Sequence, residues 1–164
     1  MTKPKVQLID PRDYERRPLD LKQPVFDGQA LARAEDALRS MSGSFQEWLE
    51  ADVAKLQAAR AQGDAEGWTE KTLEALFSVA HDIKGLGATY DYPLATSIAA
   101  SLCRLIETDA GRDAARADPS LLYAHVDAVR AAARDQIKSA ANPVGRALLR
   151  ALEDRVHELG VAPR

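Results

Sequence analysis

What this chain lacks narrows its chemistry before any motif is read. It has a single cysteine, Cys103, which excludes an internal disulfide and a cysteine zinc site and makes a reducing cytosol the simplest setting. Aromatic residues are only 5% of it. No basic patch with interleaved aromatics is present, so nucleic acid is not an expected partner. Neither sign of charge dominates, because acids and bases are interspersed to a formal net charge of −3. No apolar run approaches the roughly 20 residues needed to cross a bilayer. The N-terminus is polar and proline-studded, unlike a signal peptide. The expectation is a cytoplasmic chain that does not engage a membrane. Strand-like alternation is missing, and so is a glycine-rich loop able to cradle nucleotide phosphates.

What is present reads as helix, because alanine and leucine dominate. Residues 1–28 carry Pro4, Pro11, Pro18 and Pro24 among many charges and read as an extended or partly disordered arm. Within it, Val6-Gln7-Leu8-Ile9 could pack on the body. Residues 29–164 read as a single helical domain. A first helix spans about Gln29 to Met41, with Leu31, Ala34, Ala37, Leu38 and Met41 on its apolar side. Ser42-Gly43-Ser44 ends it. Ser44, with Glu47 three residues on, caps a second helix running to about Gln62. A long third helix runs from near Ala65 to about Tyr90. Asp91 caps a fourth, where Pro93 suits the first turn and Leu94, Ile98, Leu102, Leu105 and Ile106 form a stripe. Thr108 to Pro119 reads as a polar connection. A fifth helix spans about Ser120 to Ser139, and after Asn142-Pro143 a sixth spans about Val144 to Leu159.

The predicted fold is all-α: an antiparallel up-down four-helix bundle from the second to fifth helices, about residues 44–139, with additional N- and C-terminal helices. Short connections make consecutive helices antiparallel neighbours. The extra helix at about 144–159 either caps the bundle of a monomer or pairs with a second chain in a dimer.

The chain is organised around Ser78-Val79-Ala80-His81-Asp82-Ile83-Lys84-Gly85-Leu86-Gly87-Ala88-Thr89-Tyr90. Helical spacing puts Lys84, Gly85 and Ala88 on the face of His81. A second stripe of Leu73, Leu76, Ala80, Ile83, Gly87 and Tyr90, widened by Phe77 and Val79, points to a core. His81 therefore sits at the border of a buried face and reaches solvent beside one cation and two residues with almost no side chain. Imidazole in its neutral form is a good nucleophile toward phosphorus, and it titrates near neutrality. Lys84 can stabilise phosphoryl oxygens as they gather charge. Gly85 and Ala88 let a bulky partner bring its reacting atom within about 3–3.5 Å of the ring.

His81-Asp82-Ile83-Lys84-Gly85 resembles the H-x-[LI]-K-G signature of histidine phosphotransfer (HPt) domains. The likeness takes in Gly87, Ala88 and the following helix ending Leu102-Cys103-Arg104-Leu105-Ile106-Glu107, and covers about Ser44 to Ser139. The resemblance implies a phosphocarrier rather than an enzyme with its own kinase or ATP site. His81 would accept a phosphoryl group from a receiver-domain aspartate and pass it to another. Lys84 and Gly85 match the family lysine and glycine. The partners implied are response-regulator receiver domains and hybrid histidine kinases. No cofactor of its own is implied, because magnesium would come on the receiver. Some members place a glutamine on the adjacent helix near the histidine. By spacing that position falls near Cys103, and Ser101, Arg104 or water are the alternatives. Leu86 and Leu94 are the candidates for exposed apolar contacts, and Ser78 for a polar one.

Two other readings stay open. The fold could dock receivers without carrying phosphate, or His81 could be an enzyme's general base, which needs a concave pocket and a second titratable group. His125 and His157 read as structural or incidental, since neither has a recognisable constellation beside it. Trp48 and Trp68 read as packing residues.

Overall fold

The computed structural model describes residues 28–161. The proline-studded arm, with its Val6–Ile9 run, lies outside them, as do the side chains of residues 30 and 38–42. The chain divides into two units, Met1–Asp36 and Ala37–Arg164. The described part of the first is the opening of helix α1, where Leu31 and Ala34 are exposed. The account below concerns the second.

The described residues form helices and no strand: α1 Gly28–Glu66, α2 Glu70–Leu86, α3 Pro93–Glu107, α4 Asp109–Ala117, α5 Ser120–Arg134 and α6 Pro143–Glu158. Four of them meet in one apolar core. Leu49, Val53, Leu56 and Ala59 come from α1, and Leu73, Leu76, Ala80 and Ile83 from α2. Ile98, Leu102 and Leu105 come from α3, and Leu122, Val126, Val129 and Ala133 from α5. Each run recurs every three or four residues, which is what lets a helix bury one stripe.

Polar contacts fix the directions. Gln46 near the start of the bundle part of α1 donates to the Ala133 carbonyl late in α5, whereas Arg60 further along α1 pairs with Asp127 and Asp64 bonds Tyr123. So α1 and α5 are antiparallel. Phe45 and Trp48 ring-pack with Tyr90, past the end of α2, so α1 and α2 are antiparallel as well. The Leu94 amide at the start of α3 donates to the Lys138 carbonyl beyond the end of α5. The up-down bundle expected from the sequence is therefore present.

Several boundaries differ from expectation, each for a physical reason. Ser42-Gly43-Ser44 does not interrupt α1. An interior glycine costs roughly 1 kcal/mol relative to alanine, less than exposing the orphan carbonyls and amides of two new helix ends. Ser44 is thus not a cap. The third predicted helix is shorter at both ends. It starts at Glu70 because Thr69 and Thr72 form a reciprocal capping box, with Gly67 just before at φ +88. It ends at Leu86, and Gly87 is its C-cap. A Cβ on Gly87 would lie 2.7 Å from Thr96 Oγ1, so only glycine lets the turn pack this closely on α3. Asp91 does not cap α3. It adopts φ +65 and pairs with Lys138, while Tyr92 takes the cap position.

The expected polar connection after α3 is itself helical, since Thr108 caps α4 by accepting from the Gly111 amide. α5 stops at Arg134, short of Ser139. Asn142 caps α6 by accepting from the Val144 and Gly145 amides. The buried stripe of α6, Leu152 and Val156, packs in the same core cluster, and α6 lies against α3 and α5.

Gly111 provides a stability test. A Cβ there would fall 1.9 Å from the Leu105 carbonyl oxygen, which is backbone and cannot swing away. A Cβ on Gly85 would meet nothing within 4 Å. Urea melts should show Gly111→Ala destabilised by about 3 kcal/mol, the upper end of overpacking effects. Gly85→Ala should instead gain a few tenths to about 1 kcal/mol from helix propensity.

Candidate functional site

His81 is exposed on the last two turns of α2, and Ile83 and Ala80 on its other side are fully buried. The buried stripe pins the helix, so the imidazole is held by backbone rather than by partners. Among the described residues no hydrogen bond or ion pair involves its ring, and its ring contact is with Phe77, one turn earlier, at a centroid distance of 5.8 Å. Phe77 is half-buried. The sequence reading placed it only in the apolar stripe. Its i−4 spacing from His81 was the signal that the two rings would meet.

Lys84 and Gly85 follow on the same face, both exposed. Among the described residues the Lys84 ammonium has no salt bridge to a carboxylate. Open space stands where a Gly85 side chain would project. Ala88 lies in the turn after α2 rather than on the helix, and it too is exposed. Ser78 is exposed one turn before His81. His81, Lys84, Gly85, Ala88 and Ser78 thus border one open surface.

The apolar candidates separate. Leu86 is 43% exposed, but five positions on from His81 is roughly 140° round the helix. It shares a face with Asp82, whose charge acts on Lys55 of α1. That edge is where Phe45, Trp48 and Tyr90 cluster, with Trp48 50% exposed. Leu94 is not a surface residue. It is 1% exposed, with its Cδ2 against the Gly145 backbone of α6. The sequence could not place it, because α6 covers it from about fifty residues away.

The three candidates on α3 also resolve by direction. Cys103 is fully buried, and burial pushes its thiol up to about 11, with the nearby Lys84 charge acting the other way. It therefore lies under the Lys84 side of the site as an apolar filler. Ser101 is fully buried and bonded to His125 across the α3–α5 interface. Arg104 pairs with Glu153 of α6. Neither Ser101 nor Arg104 is free to serve His81.

His125 is a core residue, as expected. Its Nδ1 lies 2.7 Å from the Leu121 carbonyl, and its Nε2 3.0 Å from Ser101 Oγ. A carbonyl only accepts, so Nδ1 carries the proton and Nε2 accepts from the serine hydroxyl. Burial depresses this ring to about 4. His157 is exposed on α6. Among the described residues no three His, Cys, Asp or Glu side chains converge as metal ligands. No described helix is long and apolar enough to cross a membrane.

The fold and the site together define a helical bundle that presents one uncommitted histidine, with a cation one turn away, on an open face. The family pattern of the Hpt domain matches residues 40–159, and the chain belongs to that family. Hpt domains are phosphocarriers in phosphorelays, where they work with receiver domains and histidine kinases, and their fold is an all-helical bundle like this one. No curated protein and no solved structure matches the chain.

Proposed function

We propose that His81 takes a phosphoryl group from the aspartyl phosphate of one receiver domain and gives it to the aspartate of another. The observation that carries this is the exposed, uncommitted imidazole beside open space at Gly85. In the forward step the lone pair of the unprotonated ring nitrogen forms the N–P bond. The acyl O–P bond breaks, and the partner's carboxylate leaves with that electron pair. The other ring nitrogen keeps its proton or exchanges it with water. Lys84 neutralises charge on the phosphoryl oxygens in transit. Return to a second receiver reverses each change. Magnesium arrives with the receiver. The chain acts as a monomer in this reading, supported by the α6 stripe being occupied within the fold.

The test is transfer from a purified phosphorylated receiver, read as an acid-labile, base-stable phosphate on this chain. Lys84→Ala should slow transfer by on the order of tenfold or more. Gly85→Leu should fold normally and slow transfer by obstructing approach. Unchanged rates in both variants would remove the roles given to these two residues.

A further inference from the structure

Beyond His81 toward the start of α2, the seam between α2 and α3 opens into a groove of about 230 Å³. Leu73, Phe77 and Ile106 form its apolar floor, and Glu74 and Glu107 stand exposed at its rims. Phe77 belongs to both places: it lines the groove and packs its ring on His81.

The charges here are uneven. The other two charged side chains at the groove are committed. Glu70 is paired to Arg116, and Arg112 to Asp109 and to the carbonyls of Ile106 and Glu107. Among the described residues, no side-chain ion pair or hydrogen bond involves Glu74 or Glu107. The result is a groove of mixed polarity with an apolar floor and two carboxylates outside the ion pairs, next to a nucleophile whose own neighbour, Lys84, is positive.

A receiver centred on His81 reaches this groove. A transient contact of about 600 Å² per partner is a disc of roughly 14 Å radius. Glu74 is seven residues from His81, about 10.5 Å along the helix. We infer that this groove is a specificity subsite, taking from the docking receiver an apolar side chain flanked by lysine or arginine. The inference rests on the phosphocarrier reading and adds which receivers are chosen. A cation on the partner's flank is attracted by Glu74 and Glu107, whereas an acidic flank is repelled, which rejects wrong partners.

The probe is the receiver domain that binds the wild-type chain most tightly among a panel of purified receivers, with binding measured by calorimetry at two salt concentrations. In the Glu74→Lys/Glu107→Lys chain the dissociation constant should rise on the order of tenfold, and its salt dependence should flatten. Glu74→Gln/Glu107→Gln should give a smaller change of the same sign, without charge reversal as a threat to folding. Phosphorylation of His81 by phosphoramidate, which needs no docking, should be unchanged in both. Equal affinity and salt dependence in all three chains would overturn the subsite. A receiver that binds but passes no phosphate to His81 would overturn the phosphocarrier reading alone, while the affinity comparison would still decide the groove. If no receiver binds the wild-type chain, both fall.

Discussion

A His81→Ala chain takes up no acid-labile phosphate from a phosphorylated receiver, and unfolds in urea at the wild-type midpoint. Both halves follow from where the ring sits. It is exposed, with no hydrogen bond or ion pair among the described residues, and it ring-packs with Phe77. Surface substitutions of this kind usually stay within about 0.5 kcal/mol. The chemistry, in contrast, has no substitute nearby. Ser78 is a neutral hydroxyl without a general base beside it, Asp82 could form only a base-labile acyl phosphate, and Lys84 is a cation rather than a nucleophile. The other histidines supply controls. His125 is sealed in the core, and His157 is exposed on α6 with Gly160 where a cation one turn on would stand and with Arg155 paired to Glu158, so His157→Ala should label like wild type. Label persisting on His81→Ala would defeat the site. A His81→Gln chain that keeps full signalling would instead support an adaptor that docks receivers without carrying phosphate.

The second large effect is acid lability through His125. In the unfolded chain an imidazole titrates near 6.5. In the fold, burial holds His125 at about 4. Two charges face it, Glu153 from α6, which favours protonation, and Arg104 from α3, which opposes it. The unfolded state therefore binds the extra proton first as pH falls. The stability contributed by the neutral buried ring is complete above about pH 6.5, declines as pH drops, and is gone below about 4. Integrated over that window the loss is roughly 3 kcal/mol, a large share of a domain's total stability. Urea midpoints measured between pH 7.5 and 4.5 should fall accordingly. His125→Gln, which can still bond Ser101 but does not titrate, should flatten the slope in that interval. An equal slope in wild type and variant would show that other groups govern the acid limb.

How much of this was legible beforehand depended on range. The stripe Leu73, Leu76, Ala80, Ile83 and the face His81, Lys84, Gly85 are local facts. Their period is that of a helix, and their placement held. The Asn142-Pro143 break also held, because a cap and an N1 proline act within one turn. Long-range packing was not legible. Gly43 looked like a stop, but the helix runs through it, because one interior glycine costs about 1 kcal/mol, less than the orphan backbone groups of two new helix ends. Gly111 looked like part of a loop, and it is a glycine because the Leu105 carbonyl lies where a side chain would be.

The amino-acid order by itself therefore determined a helical bundle with one histidine set beside a lysine and a glycine, since these follow from spacing within a turn or two. Tertiary structure alone decided that Leu94 is buried under α6, that Ser101 and Arg104 face away from the histidine, and that Phe77 joins the imidazole to an acid-rimmed groove. Each of those outcomes depends on which distant helix covers which side of α2 and α3, and no local period encodes that.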